Sequence, residues 1–202
     1  MKSIFYKYPL LYDWGIRFIY FDGLKILKNM VGPRKSVFEP ACGYGRMKNY
    51  LYPDCTYSGV DLNEDFIRFG RKKNRDIRVG NALDERWYRE SDIVLLGDIL
   101  HHLKNGEKYH LVSLAVRYAR EKVVIIEPLF VDIASRNNGF SRVIGKLMAR
   151  MDADGFNEID RWLSKEQYMG LLRTLKEFNH IKEMKLRIFR NHLFVEMWVH
   201  RR

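Results

Sequence analysis

The chain has 202 residues, a length that suits one domain or one domain with a small cap. Its hydrophobic fraction of 47% suffices for a core, but it contains no run of about 18 apolar residues, which excludes a membrane-spanning helix. The net charge of +11 favours anionic partners or reflects a basic solvated surface. This charge lies in the two ends, since residues 1–36 and 141–202 each carry +5 and the middle is nearly neutral.

The two cysteines indicate a reducing compartment. Cys42 and Cys55 form neither a CxxC pair nor a Cys/His cluster with zinc spacing. The apolar residues near the N-terminus are interrupted by charges and do not resemble a secretory signal. We therefore expect a cytoplasmic protein with reduced thiols and no structural metal.

In chain order, residues 1–31 predict a helix with one apolar face, which Gly32-Pro33 closes. From Ser36 onward, short β-branched runs alternate with longer polar stretches, as in parallel strands that are buried on both faces. The predicted strands contain Val37-Phe38, Tyr57–Val60, Ile77–Val79, Ile93–Leu96 and Val123–Ile126. The predicted helices cover about 46–52, 63–73, 84–89 and 106–120.

The C-terminal part has a different pattern. Ser164 and Gln167 form a capping box before a helical apolar repeat. Residues 181–189 and 192–199 then alternate as two strands around a short turn, which predicts an antiparallel hairpin. In the second strand, one face would carry the apolar residues Leu193, Val195, Met197 and Val199.

The first predicted strand ends in a loop of small residues, Glu39-Pro40-Ala41-Cys42-Gly43-Tyr44-Gly45. Such a loop lets the backbone approach a ligand, and the helix start near Arg46 would offer N–H groups and a positive dipole end. The pattern is not the dinucleotide fingerprint, because Lys48 stands where GxGxxG requires glycine. The loop therefore predicts a nucleoside site of another kind.

Asp61 ends the second strand, 18 residues after Gly43. A carboxylate at this edge of a sheet can accept hydrogen bonds from both ribose hydroxyls. The alternative is a helix cap, because Asp61 or Asn63 could cap the next helix. The agreement of strand end, spacing and glycine loop favours the ribose role.

These segments together resemble the class I S-adenosylmethionine-dependent methyltransferases. The first family motif, E/D-x-G-x-G-x-G, stands here as Glu39 to Gly45, with Ala41 in place of the first glycine. Alanine is tolerated there if its φ is negative. The second motif matches Asp61, and the third matches Asn81-Ala82, where the family more often has aspartate.

The fourth motif matches the segment from Asp92 to Leu103, which includes the family's "LHHL" sequence, and the fifth strand precedes Glu127-Pro128. The resemblance implies a Rossmann-like, doubly wound α/β fold with a mostly parallel seven-stranded sheet ending in an antiparallel hairpin. Residues 1–35 would form an N-terminal helical cap on the domain 36–202, with an acceptor-side insertion at 129–163. The implied cofactor is S-adenosylmethionine, bound by Glu39, Ala41, Gly43, Gly45, Asp61, Leu62, Asn81, Ala82, Gly97 and Asp98.

Within that family, the cofactor carries the reactive methyl group and the protein aligns the reactants. His101 and His102 are the candidates for a general base, since imidazole titrates near neutrality. The alternative is that this segment serves packing. Asp84 and Glu127 are candidate residues of the site edge, or else a helix cap and a surface charge.

The acceptor is not named by any motif. Residues 1–31 are rich in aromatics and residues 129–163 are long for a crossover, so both could form a lid over the acceptor, or the aromatics could be core. A small-molecule acceptor, anionic or aromatic, is the first hypothesis. RNA or tRNA is the second, because bases stack on aromatic rings and phosphates pair with Lys and Arg. A non-catalytic cofactor-binding module and action at a membrane surface are the remaining alternatives.

Overall fold

The computed structural model describes residues 24–129, 165–178, 181–189 and 192–200. Within these residues the helices are α1 (Lys25–Val31), α2 (Glu64–Arg71), α3 (Asn105–Tyr118) and α4 (Lys165–Phe178). The strands are β1 (Ser36–Pro40), β2 (Thr56–Asp61), β3 (Asp76–Val79), β4 (Ser91–Gly97), β5 (Ala119–Pro128), β6 (Glu183–Phe189) and β7 (His192–Trp198). Short 3₁₀ turns occur at Arg46–Tyr50, Glu85–Trp87 and Leu100–His102.

In the part of the chain that the structure describes, the seven strands form one sheet in the order β3-β2-β1-β4-β5-β7-β6. Strands β1 to β5 are parallel, whereas β7 is antiparallel to both of its neighbours, β5 and β6. The sheet reverses its order between β1 and β4, so their carboxyl ends open a crevice. The Rossmann-like fold with a terminal antiparallel hairpin is confirmed.

The sheet separates two hydrophobic cores, and consecutive strand residues point into opposite ones. Val37, Ile93 and Ile126 pack with α1 and α2 residues on one face, while Val94 and Ile125 pack with α3 and α4 residues on the other. This two-sided burial is the reason why the parallel strands lack alternation in sequence.

The hairpin is confirmed, and Leu193, Val195 and Met197 of β7 pack with the following Val199 into one core, as predicted. Phe194 and Glu196, on the opposite face from Leu193 and Val195, are also buried. The cause is the sheet order, because β7 lies between β5 and β6. The sheet edge falls on β6 instead, where most residues are exposed.

Two of the predicted helices are only short 3₁₀ turns. Residues 46–52 were expected to be helical, but Leu51 is extended and Tyr52 precedes Pro53, which disfavours helical backbone at that position. Residues 84–89 form one turn, Glu85–Trp87, which the Asp84 side chain caps. The helices predicted at 63–73 and 106–120 are confirmed as α2 and α3, with ends shifted by one or two residues.

Cys42 and Cys55 are buried thiols outside any disulfide. No described helix combines the length and apolar character that a membrane span requires. The expected helical cap is described only from residue 24 onward, where α1 packs into the core through Leu27 and Met30. Residues 1–23, Ser164 and nearly all of the expected insertion lie outside the described residues.

Candidate functional site

A cavity of about 370 Å³ opens at the carboxyl ends of β1, β2 and β4. This size lies within the usual range of small-molecule sites, roughly 300 to 1,000 Å³. Nine of the ten residues that the sequence assigns to the cofactor line it: Glu39, Ala41, Gly43, Asp61, Leu62, Asn81, Ala82, Gly97 and Asp98. The fold therefore brings the motif residues together, although their roles toward a ligand stay predictions.

The loop after β1 is held in left-handed backbone conformations. Ala41 has a φ of 61°, Gly43 of 54° and Gly45 of 74°. The condition under which alanine would be tolerated at this position, a negative φ, is therefore not met. An alanine in this region is strained, since its Cβ approaches the following carbonyl oxygen.

Ala41→Gly should raise the free energy of unfolding by about 1 kcal/mol, because glycine adopts a positive φ without strain. Ala82→Gly is the matched control. Ala82 also lines the cavity, but it is not among the residues with positive φ. Ala82→Gly should lower the free energy of unfolding by about 0.4 to 1 kcal/mol, because glycine gives the unfolded chain more conformational entropy. Urea denaturation measures both, and a loss of stability in Ala41→Gly would refute strain at this position.

Gly45 does not line the cavity. A Cβ on Gly45 would lie 3.0 Å from Cδ of Arg75 and 3.3 Å from Cε1 of Tyr57. Glycine is thus required here by its φ and by the two side chains packed beneath the loop. The five-residue 3₁₀ turn that follows also replaces the expected helix N-terminus.

The Asp61 carboxylate faces the glycine loop. Its Oδ2 accepts from the backbone N–H of Gly43 at 2.7 Å, and Oδ1 accepts from the N–H of Asn63 at 2.8 Å. The cap of α2 is Asn63, whose Oδ1 accepts from the N–H groups of Asp65 and Phe66. Asp61 is therefore not the helix cap, and its carboxylate lies at the cavity wall, where ribose hydroxyls could reach it.

Leu62 follows Asp61 and is 56% exposed at the cavity wall. An exposed leucine beside a cavity offers apolar surface to a flat ring. On the next strand end, Asn81 Oδ1 accepts from the N–H of Leu83 at 2.9 Å. This bond fixes the asparagine amide at the cavity rim and shapes the turn that carries Ala82.

Glu39 is only 2% exposed, and its Oε2 accepts a hydrogen bond from the hydroxyl of Tyr57. Burial raises the pKa of Glu39 well above its ordinary value, and the nearby Asp98 and Asp61 raise it further. The Tyr57 hydrogen bond and the Arg75 charge oppose these effects. A carboxylate in this setting is suited to a cationic partner.

Gly97 and Asp98 complete this end of the cavity. A Cβ on Gly97 would lie 3.2 Å from Oε1 of Glu39 and 3.0 Å from Cε of Met47, so a larger residue at this position would press on the Glu39 carboxylate. Asp98 has a φ of 52°, a strained value for a non-glycine residue, and its N–H donates to the carbonyl of Ile126 at 2.9 Å.

The two histidines are placed differently. His102 lines the cavity, whereas His101 is 6% exposed and does not. The Nδ1 of His101 lies 2.7 Å from Oε2 of Glu127. The ring centroids of His101 and His102 are 4.1 Å apart. Of the two candidates for a general base, His102 therefore has access to a ligand.

Glu127, the candidate edge residue at the end of β5, is fully buried and joins three segments. Its Oε1 accepts from the N–H groups of Ile99 and Leu100 at 2.9 and 2.7 Å. Its Oε2 meets His101 and accepts from the hydroxyl of Tyr168 in α4 at 3.0 Å. Burial alone would raise the pKa of Glu127, but the His101 charge and the hydrogen bonds from His101, Leu100 and Ile99 hold it below its ordinary value.

Asp84, the other candidate edge residue, does not line the cavity. Its carboxylate accepts from the N–H of Arg86 at 3.2 Å and pairs with the Arg86 guanidinium. This is the turn-capping role that the sequence left open as an alternative.

Sequence reasoning did not find the apolar wall of the cavity, which includes Tyr44, Met47, Phe66, Ile99 and Leu103. These residues follow the motif strands, but nothing in their spacing separates a cavity wall from ordinary core. No cluster of His, Cys, Asp and Glu that could hold a metal ion occurs among the described residues.

The fold is similar to that of several solved methyltransferases. A S-adenosylmethionine-dependent methyltransferase from Thermotoga maritima superposes with a TM-score of 0.68 and 16% identity over 98% of each chain. Human N-acetylserotonin methyltransferase, in complex with S-adenosylmethionine, has a TM-score of 0.66 and 16% identity over 94% of this chain and 55% of that one. The chain has the class I methyltransferase fold.

This methyltransferase fold also occurs in an O-methyltransferase family protein from Burkholderia thailandensis, with a TM-score of 0.66 and 16% identity. That match covers 91% of this chain, which spans only 56% of the Burkholderia protein. In sequence, no family model and no curated protein matches the chain. The structure thus shows the class I methyltransferase fold, although no family model and no curated protein matches the sequence.

Proposed function

We propose that this protein binds S-adenosylmethionine in the cavity and transfers its methyl group to a small-molecule acceptor. The observation that carries the proposal is the position of two carboxylates. Glu39 and Asp61 end neighbouring strands of the methyltransferase fold, and both line the same cavity. Human N-acetylserotonin methyltransferase shares the fold and was solved with this cofactor.

The residues present fit such a cofactor. Asp61 would accept hydrogen bonds from the ribose hydroxyls, and the exposed side chain of Leu62 would pack on the adenine. Asn81 and Ala82 also line the cavity and would meet the adenine edge. The buried Glu39 would face the ammonium of the amino-acid part, since a carboxylate in a poorly solvated site favours a cation.

S-adenosylmethionine supplies an electrophilic methyl sulfonium, so the chain itself needs only to align the reactants and to exclude water. The apolar wall formed by Ile99 and Leu103 would help to keep this site dry. We assign His102 as the general base for an acceptor that must lose a proton, because it lines the cavity and His101 does not.

The charge of the cavity supports a small molecule over RNA. Among the described residues, the lining carries four carboxyl groups, from Glu39, Asp61, Asp98 and Glu107, and one cationic side chain, that of Arg46. Such a surface repels phosphates, whereas RNA-binding surfaces pair phosphates with Lys and Arg. A cytoplasmic location is a further part of the proposal.

Titration calorimetry with S-adenosylmethionine and S-adenosylhomocysteine tests the cofactor. The wild type should bind both ligands, and Leu62→Ala should weaken binding about threefold to tenfold through lost apolar contact. Ile188→Ala is the matched control, because Ile188 is an exposed aliphatic residue, 42% exposed, on the distant edge strand β6.

Asp61→Ala should weaken binding more strongly, by tenfold or more, because it removes the acceptor for ribose and the support of the Gly43 N–H. Its melting curve separates loss of contact from loss of fold. His102→Ala should still bind the cofactor and lose turnover. If the wild type binds neither ligand, the proposed function is wrong.

A further inference from the structure

Tyr57 lies on β2, next to β1, and contacts Glu39 through its side chain. In the register of β1 and β2, Tyr57 pairs with Val37, and Gly59 pairs with Glu39. The Tyr57 side chain is 5% exposed, and its hydroxyl donates to Oε2 of Glu39. A phenylalanine would fill the same space, so packing alone does not require the hydroxyl.

The Tyr57 phenol donates the hydrogen bond in this pair. Burial raises the pKa of Tyr57 well above its usual value, and the nearby Glu39 raises it further. The Tyr57 hydroxyl therefore keeps its proton and directs it at one oxygen of Glu39. The other oxygen, Oε1, lies on the side of Gly97, which lines the cavity together with Glu39, and the absence of a side chain on Gly97 leaves space beside Oε1.

Arg75 supports the pair from below the glycine loop. Its side chain is 8% exposed and packs with Tyr57 against the Cα of Gly45. One guanidinium nitrogen donates to Oδ1 of Asn49 at 3.0 Å, and the guanidinium lies 5.7 Å from the Tyr44 ring. The charge of Arg75 lowers the pKa of Glu39, against the opposite effects of Asp98 and Asp61.

We propose that Tyr57 is a positioning residue, which orients the buried Glu39 carboxylate so that its second oxygen receives the ammonium group of the cofactor. This inference rests on the proposed function and assigns a new residue to it. Tyr57 does not line the cavity and acts through Glu39 alone. Its effect is therefore confined to ligands that carry the amino-acid part.

The pH dependence follows from the charged groups around Glu39. These are Asp61 at the end of β2, Asp98 after β4 and Arg75 before β3, in addition to Tyr57 and the thiol of Cys42. Because the Tyr57 hydrogen bond lowers the pKa of Glu39, its removal raises that pKa further. Ammonium binding requires the ionised carboxylate. As the pH is lowered, binding should therefore be lost at a higher pH in Tyr57→Phe than in the wild type.

The test compares two ligands on the wild type and Tyr57→Phe by calorimetry from pH 5 to 9. S-adenosylhomocysteine carries the amino-acid part, whereas 5′-methylthioadenosine has the adenosine and sulfur without it. Tyr57→Phe should weaken S-adenosylhomocysteine about tenfold, as expected for a hydrogen bond to a charged group, and leave methylthioadenosine unchanged. The pH at which S-adenosylhomocysteine binding is half lost should rise.

Tyr118→Phe is the matched control, because Tyr118 also donates to a glutamate, Glu85, at 3.0 Å, outside the cavity. It should change the affinity of neither ligand. In a Glu39→Gln background, Tyr57→Phe should cause no further loss of affinity for S-adenosylhomocysteine. This comparison tests the assignment even if one of the variants is less stable.

An equal loss of both ligands in Tyr57→Phe, or no loss of either, overturns the assignment of Tyr57. A wild type that binds neither ligand refutes the proposed function itself, so the two failures are distinct. An unchanged pH profile with a weaker S-adenosylhomocysteine affinity would also overturn the assignment, because it would mean that Tyr57 does not act through the Glu39 charge.

Discussion

Glu127→Leu is expected to lower the free energy of unfolding by about 3 to 5 kcal/mol, the cost of breaking a buried, hydrogen-bonded charge pair. Leucine has a similar volume but accepts no hydrogen bond. The change would leave the N–H groups of Ile99 and Leu100 and the hydroxyl of Tyr168 without this acceptor in the protein interior. Each such buried donor costs about 1 to 3 kcal/mol.

Two variants calibrate this result. Glu127→Gln should cost less, because its oxygen can still accept from the two backbone N–H groups while its NH₂ faces His101 and Tyr168, both of which can accept. Glu183→Leu, on the exposed strand β6, should change stability by no more than about 0.5 kcal/mol. Urea denaturation of the three variants and the wild type measures the differences, and a loss below 1 kcal/mol in Glu127→Leu would contradict the assigned hydrogen bonds.

The stability that Glu127 contributes should also depend on pH. Because its pKa is lower in the folded protein than the ordinary value of 4.5, the ionised carboxylate stabilises the fold above that pH. The contribution is lost as the pH falls through the lower, folded value. The difference in stability between the wild type and Glu127→Leu should therefore shrink on acidification below about 4.5, as denaturation at several pH values would show.

Gly70→Ala is expected to destabilise the protein by about 3 kcal/mol, although alanine is the better helix former by about 1 kcal/mol. A Cβ on Gly70, in α2, would lie 2.5 Å from the backbone carbonyl oxygen of Tyr44 and closer still to Cδ1 of Ile77. The methyl group would thus force α2 away from the glycine loop and β3. The clash with backbone cannot be relieved by a side-chain rotation.

Gly170→Ala is the matched control in α4, where nothing lies within 4 Å of the added Cβ. It should stabilise the protein by up to about 1 kcal/mol through helix propensity. Thermal melts of the two variants should therefore shift in opposite directions. A stabilised Gly70→Ala would mean that α2 packs less closely on the glycine loop than the structure shows.

The strands and the cavity could be predicted because they depend on local signals. Buried parallel strands give short β-branched runs, and the residues that end β1 and β2 meet at one edge of the sheet in any doubly wound fold. Glu39 and Asp61 could therefore be placed together without coordinates. The role of Leu62, in contrast, was implied only by the family resemblance, and its exposure became evident from the structure.

The remaining features depend on contacts between distant parts of the chain. The positive φ of Ala41 has no sequence signal, since alanine normally avoids that region. The partners of Glu127 come from residues 26 to 41 positions away, and the pairing of Tyr57 with Glu39 spans 18 positions. Gly45 likewise lies outside the cavity, and the side chains of Arg75 and Tyr57 that pack beside it come from distant positions in the sequence.

The hydrogen bond between Glu127 and Tyr168 closes a ring in the chain, since Glu127 ends β5 and Tyr168 lies in the first turn of α4. This bond therefore links the end of β5 to the first turn of α4. The entropy of closing a loop grows only slowly with its length, so the number of residues between two such partners has only a small effect on the free energy of forming their bond.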